Sequence, residues 1–120
     1  MAARRLLIVE DEFLIRMTLA EVLADDGFEV VEAGDGDEAL AALQREPDLA
    51  VMLTDIQLPG SLNGRELAAR ARESRPNLPV IFMSGRPDPD AVTSPFDLHV
   101  NKPYLPSTMS AAVRRLLGDS

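Results

Sequence analysis

The sequence predicts a doubly wound α/β domain around a five-stranded parallel sheet, and three observations carry that prediction. Short apolar runs recur at near-regular intervals, helical periodicity fills the gaps, and capping residues fall at the joints. The runs are continuous rather than alternating, which suits strands buried on both faces of a parallel sheet. Strand one is Leu6-Leu7-Ile8-Val9. The helix after it is marked by Ile15, Leu19, Val22 and Leu23 and ends at Gly27. Strand two covers 28–31, and Ala39, Leu40 and Leu43 mark the next helix. Strand three covers 49–53; the helix that follows carries Leu67, Ala68 and Ala71, with Asn63 and Glu66 placed to cap it. Strand four covers 78–83 and strand five 98–100. Between them Pro87, Pro89 and Pro95 leave barely a turn of helix around 90–93, so the fourth helix is expected to be short or irregular. Met109, Ala112, Val113 and Leu116 form the stripe of a closing helix that starts near Pro106 and stops at Gly118. Right-handed crossovers then place helices on both faces of the sheet, and residues 1–120 read as one domain without a linker.

Composition narrows the chemistry. Twelve Lys and Arg stand against 20 Asp and Glu, a net charge of -8, and 46% of residues are hydrophobic. A chain of this length buries roughly two-thirds of its unfolded surface, enough for a core without staples. There is no cysteine, which excludes disulfides, thiolate metal ligands and cysteine nucleophiles, and the single histidine, His99, leaves a histidine zinc site or a Ser-His hydrolase without its parts. The acidic balance argues against direct nucleic-acid binding, because the local basic pairs are only Arg4-Arg5 and Arg114-Arg115. No apolar run approaches the roughly 18 to 20 residues that span a bilayer, and the first residues do not read as a secretory signal, so a cytoplasmic location with no membrane partner is expected.

The polar residues of interest fall at strand ends. Glu10, Asp11 and Glu12 follow strand one, Asp55 follows strand three, Ser84 strand four and Lys102 strand five. In open α/β sheets ligands bind beyond the carboxyl ends of the strands, near the point where strand order reverses. If strand one lies beside strand three, as in the flavodoxin-like order 2-1-3-4-5, Asp11 and Asp55 are neighbours, with Ser84 and Lys102 closing the other side. Facing carboxylates repel unless a cation lies between them, and Mg2+ suits a site of one or two carboxylates plus phosphate oxygens. A lysine and a hydroxyl beside it supply a cation and a donor for phosphoryl oxygens, which makes Asp55 the candidate nucleophile. Each residue alone has an ordinary reading: helix-start charge for 10–12, a loop acid for Asp55, a turn hydroxyl for Ser84, a turn lysine for Lys102, and a partly buried structural imidazole for His99. No structural need places two acids, a hydroxyl and a lysine at four separate strand ends.

Five segments extend this pattern: Leu7-Ile8-Val9-Glu10-Asp11-Glu12, Leu53-Thr54-Asp55-Ile56-Gln57-Leu58-Pro59-Gly60, Asn63-Gly64-Arg65-Glu66-Leu67, Met83-Ser84-Gly85 and Asn101-Lys102-Pro103-Tyr104. In this order and spacing the chain resembles the receiver domains of bacterial response regulators, over essentially its whole length. The resemblance implies a signalling module rather than an enzyme with an external substrate, catalysing only its own phosphorylation and dephosphorylation. It implies that Asp55 accepts a phosphoryl group from a phosphohistidine on a sensor histidine kinase or phosphotransfer protein. Mg2+ would be ligated by Asp11, Asp55 and the backbone carbonyl of Gln57, with Glu10 reaching it through water. Lys102 would pair with one phosphoryl oxygen and Ser84 with another, and Ser84 would act as a switch with the residue at the aromatic position of strand five, here His99. Gln57 and Arg86 would flank the attacking water and set the lifetime of the phosphorylated form.

The chain departs from the family pattern at three places. His99 stands where an aromatic ring is usual, the stretch from Asp55 to Gly64 is one residue longer around Ser61-Leu62, and the fourth helix is poor. Phe82-Met83-Ser84-Gly85 loosely resembles a subgroup with a Phe-Ala-Thr-Gly strand end and a shortened fourth helix. Two other functions compete. One is a phosphorylation-independent interaction domain of the same fold, against which the intact set Asp11, Asp55, Ser84 and Lys102 argues. The other is an aspartyl phosphatase of the dehalogenase type, which resembles Asp-x-Asp at its nucleophile, where this chain has Gln57. With nothing beyond the closing helix, output is expected to pass through a downstream protein partner.

Overall fold

A computed structural model describes residues 4–85 and 94–118. The elements run β1 (Arg5–Val9), α1 (Phe13–Asp25), β2 (Glu29–Ala33), α2 (Gly36–Arg45), β3 (Leu49–Asp55), α3 (Gly64–Ser74), β4 (Val80–Ser84), β5 (Asp97–Asn101) and α4 (Pro106–Leu116). The strands form one sheet in the order β2-β1-β3-β4-β5, every pairing parallel. This is the predicted doubly wound fold with its predicted strand order. The short or irregular fourth helix expected around 90–93 lies outside the described residues.

Both faces of the sheet are covered, and the unbroken apolar runs follow from that. Along β1, Leu7 and Val9 face α2 and α3, together with Ala39, Ala42, Leu67, Ala68 and Ala71. Leu6 and Ile8 face α1 and α4, together with Leu19, Leu23, Met109 and Val113. A strand inside such a sandwich has no solvent face, so alternation disappears. At the sheet edge β2 reverts to mixed character, with Glu29 and Glu32 exposed. Asn63 accepts from the Glu66 amide and the Glu66 side chain returns to the Asn63 amide, the reciprocal cap expected for α3.

Two boundaries move for local reasons. The second strand starts at Glu29 rather than Phe28, because the turn closing α1 uses Phe28: its amide donates to the Leu23 carbonyl while Gly27, at φ +99°, donates to Ala24. That pair of bonds is a Schellman closure, which needs a residue tolerant of positive φ at Gly27. The fourth strand starts at Val80 rather than Leu78, since Pro79 has no amide to offer and the Leu78 carbonyl accepts from Arg72 instead.

Candidate functional site

Register brings the acids together. β1 and β3 pair so that Val9 lies opposite Thr54, which sets Glu10 and Asp55 side by side where the two strands end. Lys102 follows β5, and its amide donates to the Ser84 carbonyl at 2.8 Å, the last bond of the parallel β4–β5 ladder. From there its side chain reaches back across the sheet. Lys102 Nζ lies 2.7 Å from Glu10 Oε1 and 2.9 Å from Asp55 Oδ2. Carboxylate oxygens of Glu10, Asp11 and Asp55 gather within 4.8 Å of one another. Glu12 is the N-cap residue of α1, is exposed, and stands outside this group.

The three acids grade from inside to outside. Glu10 is 0% exposed and Asp55 9%, while Asp11 is exposed. Burial pushes the Glu10 carboxyl above the ordinary carboxylate range, and the Asp55 charge adds to this, against the hydrogen bond and charge of Lys102. Burial by itself would lower the Lys102 ammonium, but hydrogen bonds and charge from Asp55 and Glu10 outweigh it and hold Lys102 protonated. Burial likewise raises the Tyr104 hydroxyl, so the ring beside Lys102 stays neutral.

One ammonium thus serves two carboxylates while a third sits at the mouth. The donor set is entirely hard oxygen with surplus negative charge, and this chemistry fits a small divalent cation such as Mg2+.

The nucleophile candidate is held from several sides. Its Oδ1 accepts from the Gln57 amide at 3.2 Å and its Oδ2 from Lys102, while the buried Thr54 hydroxyl donates to its backbone carbonyl at 2.9 Å. The start of α3 is pressed against the same backbone: the Gly64 amide donates to the Ile56 carbonyl at 2.7 Å. A Cβ at Gly64 would come within 2.2 Å of the Asp55 carbonyl oxygen, so only glycine fits there. The extended loop finds its own seat, with Leu62 packed so closely on Gly36 that a Cβ there would lie 2.9 Å from the Leu62 Cβ.

Ser84 and His99 lie on β4 and β5. Ser84 ends β4 opposite Asn101, two residues beyond Phe82 and on the same side of the strand. His99 is half-buried and stacks on Phe82, ring centroids 5.1 Å apart and planes 22° from parallel. The Arg65 guanidinium lies over the same Phe82 ring at 5.6 Å. Arg86 lies outside the described residues. Sequence reasoning missed Arg16, whose Nη1 donates to the Glu10 carbonyl at 2.7 Å, because a side chain bonded to backbone leaves no spacing pattern. The steric demand at Gly64 has no signal of its own in a segment that reads as a helix start and as part of the family pattern.

Comparison with known proteins agrees with this fold. A family model described as the response regulator receiver domain matches residues 6–114. The aerobic respiration control protein ArcA of Escherichia coli K12 is 36% identical over 121 residues, covering 98% of this chain and 50% of the relative. The transcriptional regulatory protein PdtaR of Mycobacterium tuberculosis is 53% identical over 58 residues, 47% of this chain and 27% of its own. The chain spans about half the length of curated relatives such as ArcA. Among solved structures, a response regulator receiver protein from Sinorhizobium medicae superposes with a TM-score of 0.88 at 27% identity, covering 97% of this chain and 95% of that one. The receiver domain of the hybrid histidine kinase CckA gives 0.81 at 32% identity, covering 94% and 98%. On sequence and fold alike, this chain belongs to the response regulator receiver domain family of two-component signalling.

Proposed function

We propose that the chain is a phosphoacceptor switch that takes a phosphoryl group on Asp55 from the phosphohistidine of a sensor kinase or phosphotransfer protein. The observation that carries this reading is the bridge made by Lys102, 2.7 Å from Glu10 and 2.9 Å from Asp55, beside a third carboxylate at Asp11. An Asp55 carboxylate oxygen forms the bond to phosphorus as the phosphorus–nitrogen bond of the donor breaks, and the imidazole departs with the electron pair. Asp11, Asp55 and the Gln57 carbonyl would hold Mg2+, with Glu10 behind them; when bound, the ion neutralises charge on the phosphoryl oxygens.

Lys102 has three N–H donors and uses two on carboxylates. Turning one toward a phosphoryl oxygen stabilises the charge that builds during transfer. Ser84 donates to another phosphoryl oxygen once the group is attached, and the shift of β4 reaches His99 through Phe82. New contacts to a single added group are enough to bias a two-state element. Gln57 and Arg86 control how readily water attacks the acyl phosphate.

The donor docks beside the site. An apolar groove of about 520 Å³ is lined by Leu14, Ile15, Leu19, Pro103 and Tyr104, and shares Lys102 with the acidic cluster. Leu14, which lines this groove, is 70% exposed, among the most exposed large apolar side chains of the described residues, and with its apolar neighbours it supports a partner surface there. The test is phosphotransfer from a phosphohistidine-bearing kinase. Label is expected on the chain only with Mg2+, and none on Asp55→Asn; equal labelling of that variant would overturn the reading.

A further inference from the structure

We infer that Arg16 is a positioning residue for the divalent-cation site, acting through the peptide that joins Glu10 to Asp11. The inference rests on the reading of that site given above. Consecutive residues of an extended chain point to opposite sides. Glu10 is buried and Asp11 exposed, yet their carboxylate oxygens converge with that of Asp55 within 4.8 Å. The backbone must therefore turn at the linking peptide, and the carbonyl of that peptide is the one Arg16 binds, Nη1 to Glu10 oxygen at 2.7 Å. On the other side of residue 10, the Glu10 amide donates to the Ala33 carbonyl at 3.1 Å. Residue 10 is thus held at both its backbone groups.

Arg16 is itself held. Its Nε donates to Glu32 Oε1 at 3.1 Å, at the edge strand β2, and its guanidinium lies over the Phe13 ring at 5.5 Å. A planar fork can satisfy the Glu10 carbonyl and the Glu32 carboxylate together, tying β2 to the turn that carries two of the acids. A lysine carries its donors on a single nitrogen and lacks the planar spread of Nε and Nη1 that reaches both acceptors here.

Charge and position act in opposite directions here, which makes the role testable. A cation near a cation site weakens metal binding by repulsion, so simple removal of Arg16 would tighten it. Loss of the peptide anchor weakens it, and supporting groups around metal ligands are typically worth about 10- to 100-fold in affinity. Glu32 already neutralises Arg16, so the positional effect wins. The double variant R16M/E32Q keeps the net charge of -8 and isolates it.

Isothermal titration of the chain with Mg2+ alone, without any phosphoryl donor, reads this directly. R16M/E32Q is expected to bind Mg2+ at least about tenfold more weakly than wild type. E32Q alone keeps an acceptor for Arg16 but removes its counter-charge, so it should weaken binding, though by less than the double variant. R16K should fall between wild type and the double variant. Wild-type affinity in R16M/E32Q, or in R16K should the double variant not fold, would overturn the assignment, and so would an E32Q variant that reproduces the whole loss. A wild-type chain that does not bind Mg2+ would instead sink the reading of the site itself, so the two failures are distinguishable.

Discussion

The two ends of the sheet solve the same electrostatic problem in opposite ways. At the amino end, guanidinium groups meet what they face. Arg5 pairs with Glu29, Glu46 and Asp48, and Arg75 donates to the carbonyls of Leu43, Glu46 and Leu49. Arg72 donates to the Leu78 carbonyl and, at 2.6 Å, to Asp97. Those arginines tie loop to loop, three guanidiniums against four carboxylates, where the other end has one ammonium for three. At the carboxyl end Glu10, Asp11 and Asp55 share Lys102, and Glu10 is buried deeply enough that its ionised form is disfavoured. A fold that neutralises one end more fully than the other has concentrated its stability at the first and its chemistry at the second.

The comparison can be broken most sharply at Lys102. Lys102→Met leaves the buried Glu10 facing Asp55 with no counter-charge, and phosphorylation by a small-molecule donor should slow about a hundredfold, the usual cost of one preorganised donor. Because the acids then lack their internal cation, thermal melting of this variant should rise more on adding Mg2+ than that of wild type. Equal rates in the two proteins would contradict the role given to the lysine.

Gly64→Ala attacks the geometry of the same end without altering its charge. The added methyl meets the Asp55 carbonyl oxygen at 2.2 Å, so α3 must shift, at a cost of about 3 kcal/mol in denaturant unfolding together with weaker Mg2+ binding. A variant as stable as wild type would show that α3 can retreat freely. The smallest effect is expected at the opposite end: Arg75→Met should cost about 2 kcal/mol through its lost bonds to loop carbonyls and leave Mg2+ affinity untouched. A changed affinity there would mean that the two ends are coupled.

Much of this organisation is legible in the sequence, for reasons the structure makes plain. A strand covered on both faces must be apolar throughout, so 6–9 and 49–53 announce themselves, and residues at strand ends inherit their positions from the strands. The edge strand was read less well, because Glu29 and Glu32 break the apolar run and Phe28 belongs to the helix stop. Apolar periodicity marks α1 as a helix without telling which apolar residues are covered: Leu19 and Leu23 are buried, while Phe13 at 59% and Leu14 at 70% face solvent. Interactions of side chain with backbone, such as Arg16 with the Glu10 carbonyl, and contacts of backbone with backbone, such as Gly64 against Asp55, follow no period. They become visible only once distant segments are brought together.

An amide chemical-shift map of the chain, recorded as Mg2+ and then beryllium fluoride are added, tests the central claim most directly. The account predicts that Mg2+ moves the amides of Glu10, Asp11, Asp55 and Gln57, that beryllium fluoride extends the change to Ser84 and Lys102, and that those of Arg72 and Arg75 stay still. Shifts centred on the amino end of the sheet, or the same map from Asp55→Asn, would contradict it.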